Sequence, residues 1–532
     1  MKKKIRAISV FAAAFTVAVP TFMTFARAEN GATFRMIVQE PRFMDPNRVD
    51  DGGITIQAQL FEPLAKIGKD GEIIYLQAKS IDRSSDGLKW IVKLRPDNKW
   101  SNGEAVTAKD WEYSLKRILD PQTASGNAQF LTEIKGAADY NSGKTKDDSI
   151  VRVRAIDEFT LVIETERVAP SFLAKLALPY ITPVPQAIVK QWGERWTLPE
   201  NIVSNGPYKL VSRVNDQSIE MRINPYYSGK KPTISAIKMT VASGDICEAQ
   251  LRAYEADEID FATCIPIQDI PRVRKDPVLS TQLIANAESG TWWVQYDNSH
   301  APWNSKDVRQ ALGLAVDRAA LSSVVSDGTA AVAKTVVPPG IPGSDENDAI
   351  KGDVDTARDL LAKAGYPNGV GFPPFTITVR DSDSQPIVAQ LLQQMWQENL
   401  GISASINVME LKAFAAWVNG RKNAPYDVLT ALWVSDYADP ENWYGDLITD
   451  DYRNSHFHNE EFAALIKKAK AATDETQRIA AYQEANKILE EQQPMSALYR
   501  ESTLWLVKPY ISNLRPDTTL RLYPIRDAEF LK

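Results

Sequence analysis

From Asp427 to Val434 the chain carries little charge, is rich in apolar and aromatic side chains, and meets no breaker until Pro440. Such a run reads as an inner strand, which demands strands beside it and a covering layer on each face. A carboxylate, Asp436, follows between Trp433 and Tyr437, where burial is costly without a positive partner. The expected partner is a cation brought by a ligand, the α-ammonium group of a peptide. The competing reading is an ordinary turn, with Asp439 bonding its own backbone ahead of Pro440.

At 532 residues the chain is too long for one hydrophobic core. Its 44% apolar and 24% charged residues are those of an ordinary globular protein. Lys2, Lys3, Lys4 and Arg6 precede an apolar run from Ala7 to Val19, and Ala26-Arg27-Ala28 supplies a small-x-small site. This pattern predicts a signal peptide over residues 1–28, with Glu29 first after cleavage. No Cys lies near that site to carry a lipid, so a freely diffusing, periplasmic protein is expected. Cleavage removes five cationic side chains and takes the net charge from −7 to −12. That acidity argues against a nucleic-acid partner and against an anionic membrane. In an oxidising compartment the two cysteines, Cys247 and Cys264, are expected to form a structural disulfide between the helix Glu248–Glu255 and the strand Ile259–Thr263.

In chain order a strand is expected at Thr33–Val38, then Glu40-Pro41-Arg42-Phe43-Met44-Asp45-Pro46, the loop Asp50-Asp51-Gly52-Gly53 and a helix ending near Leu64. Asp86-Gly87 turns into a strand at Leu88–Leu94 with period-two patterning. Lys99-Trp100-Ser101-Asn102-Gly103 follows, and Thr107 caps a helix over Trp111–Ile118. Further on come Ser204-Asn205-Gly206-Pro207-Tyr208, Asn224-Pro225-Tyr226-Tyr227, Ala301-Pro302-Trp303, Val308-Arg309-Gln310-Ala311-Leu312, Val316-Asp317-Arg318 and Ala364-Gly365-Tyr366-Pro367. Together with Trp433–Pro440 these resemble the signature of the family 5 extracellular solute-binding proteins, the oligopeptide- and dipeptide-binding proteins of ABC importers. The usual Pro and Trp around Leu76–Ser80 are missing.

The resemblance implies an α/β fold of the type II periplasmic binding protein class, two lobes joined by a hinge plus an inserted third domain. Lobe one would take 29–61, 184–286 and 504–532, the insert 62–183, and lobe two 287–503, with hinge crossings near Asn286 and Thr503. It implies that Asp436 holds the ligand's amino group, beside Trp433 and Tyr437. Strand-like pairing with the ligand backbone would come from Asp50, Asp51, Gly52 and Gly53 and from Gly290, Thr291, Trp292, Trp293 and Val294. Arg421 and Lys422 match the basic groups used for the ligand carboxylate. Asn127 stands where such proteins have a cleft Tyr, Gln385 where they have a His, and Thr430 where they have an Arg. The disulfide some of them place beside this strand cannot form, since its positions are Gly290 and Val434.

Other chemistries are weaker in the sequence. Ser142-Gly143-Lys144-Thr145 resembles the end of a phosphate loop, but Ala138 stands where that loop needs Gly. His456-Phe457-His458 reads as a solvated loop rather than a metal site, with His300 the one other histidine. Asp436 with Asp439 is the strongest enzymatic alternative, a carboxylate pair for glycoside hydrolysis, yet both would come from one side of a cleft. The expectation is therefore a monomeric, non-catalytic importer component without cofactor or metal, serving an ABC permease. Its cargo would be oligopeptides or a murein tripeptide, with opines or small oligosaccharides as the alternative.

Overall fold

The computed structural model describes residues 33–48, 53–68, 72–243, 246–345, 352–382, 384–420, 425–437, 439–449, 454–514 and 525–531. The expected signal peptide, Asp50, Asp51, Gly52, Arg421 and Lys422 lie outside the described residues.

The apolar run forms the strand Val428–Val434, one residue shorter than expected. One edge pairs antiparallel with Leu283–Tyr296, from Tyr296 opposite Val428 to Gly290 opposite Val434. The other edge runs parallel to Phe375–Arg380, which pairs with Val428 and Leu429 alone. Alternation sends Val428 into a core with Trp292, Val294, Leu312 and Trp396. Leu429, Ala431 and Trp433 point the other way, into a core with Trp293, Trp443 and Tyr482. An inner strand apolar on both faces is what this arrangement requires.

The strand belongs to a ten-stranded mixed sheet. In spatial order it comprises Ala404–Met409, Phe375–Arg380, Val428–Val434, Leu283–Tyr296, Met495–Val507, Phe261–Ala262, Thr33–Gln39, Ala236–Ala242, Ser218–Ile223 and Tyr208–Val214. Leu283–Tyr296 and Met495–Val507 are the two long members and pair over most of their length. Their register breaks between Ala287 and Thr291, one residue beyond the Asn286–Thr503 pair. On the far side of that break a separate core gathers around Tyr254, Ala262 and Leu506. Asn286 and Thr503, the expected crossings, thus face each other across a single ladder.

A second sheet, with strands in the order Ala78–Arg83, Lys89–Leu94, Thr160–Glu164 and Val153–Ala155, is covered by the helix Ala108–Leu119. That helix begins at a capping box, Thr107 with Asp110, so the start signal in the sequence is used as expected. Several ordered motifs have plain structural duties. Asn205 exchanges hydrogen bonds with the backbone of Glu62 at 3.1 Å each way. Gly206 lies so close to the end of the helix Ile54–Leu60 that a Cβ there would sit 2.6 Å from the Leu60 carbonyl carbon. The buried Arg309 donates to the carbonyls of Trp303, Gln492 and Gln493, closing the C-terminus of the helix Glu475–Gln492. Asp317 caps the helix Arg318–Ser326.

Cys247 and Cys264 form a disulfide with Cα atoms 5.1 Å apart. It ties the helix Ile246–Glu255 to the segment just after the strand Phe261–Ala262, a shorter strand than expected. The first helix, Ile54–Leu60, is also shorter than expected and ends at Phe61, two residues before Pro63.

Candidate functional site

Asp436 lies two residues beyond its strand and is partly exposed. Asn442, second residue of the π-helix Glu441–Thr449, clamps it from two directions. The Asn442 Oδ1 accepts from the Asp436 backbone N–H at 3.0 Å, and its Nδ2 donates to Asp436 Oδ2 at 3.1 Å. The same Oδ1 accepts from Trp433 Nε1 at 3.0 Å. Asn442 Nδ2 also lies 3.3 Å from Asp446 Oδ2, which takes the Tyr437 hydroxyl at 2.6 Å. Burial and then the negative charges of Asp446 and Glu441 push the Tyr437 phenol far up, so it stays a donor. The Asn442 amide thus holds Asp436 at both its backbone N–H and its Oδ2, which fixes the orientation of the carboxylate.

Tyr437 turns away from the core that holds Trp433 and packs instead into the one that holds Trp90, Phe130 and Leu176. Its ring meets Phe130 edge-on at 6.3 Å, and the Lys175 Nζ stands 5.1 Å from its centroid. Lys175 lies on the short helix Phe172–Leu176 and is 4% exposed. Its ammonium is 2.5 Å from Glu133 and 3.8 Å from Glu441. Burial alone would lower its pKa, but Glu133, Glu441 and Asp446 outweigh that and raise it. Glu441, also buried, accepts the Ser171 hydroxyl at 2.7 Å. Burial alone would lift its carboxyl; Lys175, Lys470, Ser171 and Arg167 hold it below the ordinary range. None of these partners is expected from sequence. The readable signal is small: one lysine in the apolar run Phe172–Leu178, and an acid directly after Pro440.

The other expected site residues divide. Asn127 is buried and directly precedes the turn Ala128–Leu131, whose Phe130 meets Tyr437. Gly53 opens the first helix at the end of the loop whose other members are not described. Gly290 faces Val434 in register, which places the two expected non-cysteine positions side by side. The expected ligand pairing along Thr291, Trp292, Trp293 and Val294 needs correction. These residues already pair with Thr430–Trp433 on one edge and with Met495–Val507 on the other, and the side chains of Trp292, Trp293 and Val294 are core. The strand whose neighbour stops short is Val428–Val434 itself, beyond Leu429. Thr430 and Gln385 are buried and keep Thr430 Oγ1 and Gln385 Oε1 without a hydrogen-bond partner among the described residues. Gln385 Nε2 donates to the Tyr499 hydroxyl at 3.0 Å.

Two more expectations meet the geometry. Asp439 is buried, accepts the Glu441 N–H at 2.8 Å and pairs with Arg478, so it serves the turn and is no partner for Asp436 across a cleft. His456 is not in a solvated loop, because its Nδ1 lies 2.7 Å from the fully buried Asp297.

The model of the bacterial extracellular solute-binding proteins, family 5, matches residues 72–454. The chain belongs to this family. Family 5 members are solute-binding proteins of ABC transport and not enzymes, which removes the hydrolase alternative. The chain is 28% identical to the oligopeptide-binding protein OppA of Bacillus subtilis over 93% of its own length and 92% of that protein's. It is 29% identical to the probable deoxycholate-binding periplasmic protein YgiS of Escherichia coli, covering 89% and 88%. Among solved structures, the unliganded open form of the murein tripeptide binding protein MppA superimposes with a TM-score of 0.80 at 27% identity, over 94% of this chain and 98% of that one. The fold is thus the mixed α/β fold of that family, with several sheets consistent with three domains. Among the described residues no helix is long and apolar enough to cross a membrane.

Proposed function

We propose that this family 5 protein captures peptides in the periplasm, oligopeptides or a murein tripeptide, and delivers them to an ABC permease. The observation that carries the reading is Asp436, held by Asn442 at the end of an inner strand, on a turn whose Tyr437 packs against Phe130. A ligand ammonium facing it would gain a charge-assisted hydrogen bond of about 1.5–3 kcal/mol. The ligand backbone would add as a strand along Val428–Val434 beyond Leu429, where Phe375–Arg380 no longer pairs. Residues 29–61, 184–286 and 504–532 would form lobe one, 62–183 the insert and 287–503 lobe two. The register break at Ala287–Thr291 would serve as the hinge. The relatives support this reading, since OppA of B. subtilis is named for oligopeptides and MppA for a murein tripeptide.

The test is titration of the mature protein with free and N-acetylated peptides. Asp436→Asn should weaken binding of free-amine peptides by about tenfold or more, the factor that one charge-assisted hydrogen bond supplies. Acetylation should weaken binding to the unsubstituted protein by a similar factor, and equal affinity for both forms would defeat the proposal. A second reading keeps the transport role for a non-peptide solute, such as an opine or oligosaccharide. It is favoured by neutral Gln385 and Thr430, whose buried oxygens suit hydroxyl donors. A ligand that binds Asp436→Asn and the unsubstituted protein alike would establish it.

A further inference from the structure

We propose that Ser171 and Lys175 are positioning residues for the Asp436 carboxylate, so that the segment 62–183 has a share in ligand affinity without touching the ligand. The inference rests on the reading of Asp436 as the acceptor of the ligand's amino group.

The path is short and continuous. Asn442 holds Asp436 at both its N–H and its Oδ2. The residue before Asn442 is Glu441, gripped by the Ser171 hydroxyl at 2.7 Å and flanked by Lys175 at 3.8 Å. The residue after Asp436 is Tyr437, whose ring rests against Phe130 and Lys175. The turn bearing Asp436 is therefore pinned on one side by Ser171, 270 residues from Glu441 in sequence, and on the other by Phe130 and Lys175. Glu441, Lys175 and Ser171 are all nearly inaccessible to solvent. Moving the turn would part a buried carboxylate from its donors, which the low-dielectric interior opposes. A few tenths of an ångström at Glu441 pass directly to Asn442, and so to the direction in which Asp436 presents its oxygens.

The cluster also makes the test practicable. Without Lys175, Glu441 keeps Lys470 at 3.7 Å and Arg167 at 4.0 Å, and Glu133 keeps Arg167 at 3.8 Å. Neither acid is left without a cation, so Lys175→Met should fold, and Ser171→Ala is milder still.

The full mature chain is titrated with a synthetic tripeptide pool and with the same pool N-acetylated, each for the unsubstituted protein, Ser171→Ala, Lys175→Met, Lys175→Arg and Asp436→Asn. Ser171→Ala and Lys175→Met should each lower the preference for the free-amine pool about three- to tenfold, the factor for one buried hydrogen bond. Affinity for the acetylated pool should stay unchanged, and Lys175→Arg should restore the preference. A general packing role would weaken both pools alike or neither; either result overturns the inference while Asp436→Asn still discriminates. Failure of Asp436→Asn to discriminate, or binding of neither pool by the unsubstituted protein, overturns the proposed function and this inference together.

Discussion

Asp297 shows how this chain keeps a carboxylate charged in its interior. It follows directly on the strand Leu283–Tyr296 and is fully buried. Burial alone would raise its pKa, but the Ser299 hydroxyl and N–H, the Tyr426 N–H and His456 hold it below the ordinary value. A depressed folded-state pKa means a contribution that is complete above the unfolded value of about 4 and is lost as pH falls through the folded one. Asp297→Asn should thus lower stability at pH 7 by about 2–4 kcal/mol, and the gap to the parent should close below about pH 4. Urea midpoints between about pH 3 and 7 give the comparison. Gly206→Ala is a second case, because the added methyl meets the Leu60 backbone and not a movable side chain. A loss of about 1–3 kcal/mol is expected, measured as a fall in thermal midpoint. At this scale the sequence discloses residues that act locally, such as Thr107 and the turn acid Asp439. It conceals His456 on Asp297 and Lys175 on Glu441, because those partners are 159 and 266 residues apart and nothing periodic links them.

Elements are more legible than partners. The strand Val428–Val434 is readable because both faces are apolar, and the helix Ala108–Leu119 because its first turn carries a capping box. Thr107→Ala should cost about 1 kcal/mol of stability, seen in the denaturation midpoint. What cannot be read is which edge of each strand is occupied. Period-two patterning places side chains on faces and is silent about neighbours, so the ligand-pairing role is expected on Gly290–Val294 although that stretch is paired on both edges from Thr291 onward. The disulfide joins residues 17 apart in sequence, a helix and the end of a strand. Its reduction should cost about 3 kcal/mol. Denaturation with and without reductant, and again with both cysteines changed to Ser, should give the same loss.

At the scale of the molecule, the site stands where the turn after an inner strand meets a core other than that strand's own. Trp433 touches Asn442, which touches Asp436, so occupation of the site should perturb that indole. A saturable change in tryptophan fluorescence on adding peptide is expected, and it should be reduced in Trp433→Phe. The family fold is legible from the ordered motifs, several of which prove to be caps, turns or close backbone approaches. The packing of the segment 62–183 on the Asp436 turn is not, since charge and aromatic matching across such a span leave no pattern in sequence.

The ladder shared by Leu283–Tyr296 and Met495–Val507 has a bearing on protein engineering. These two strands are crossbeams, each belonging to the cores on both sides of the register break. A chimera that transplants this chain's cargo choice into a relative must cut both beams at one level, beside 287–289 and beside 501–502, because seams at unequal heights would join non-matching rungs. Cut so, the graft would bring the Asp436 turn but leave behind Ser171 and Lys175, and a transplant without those two would inherit the receptor pocket yet lose its alignment.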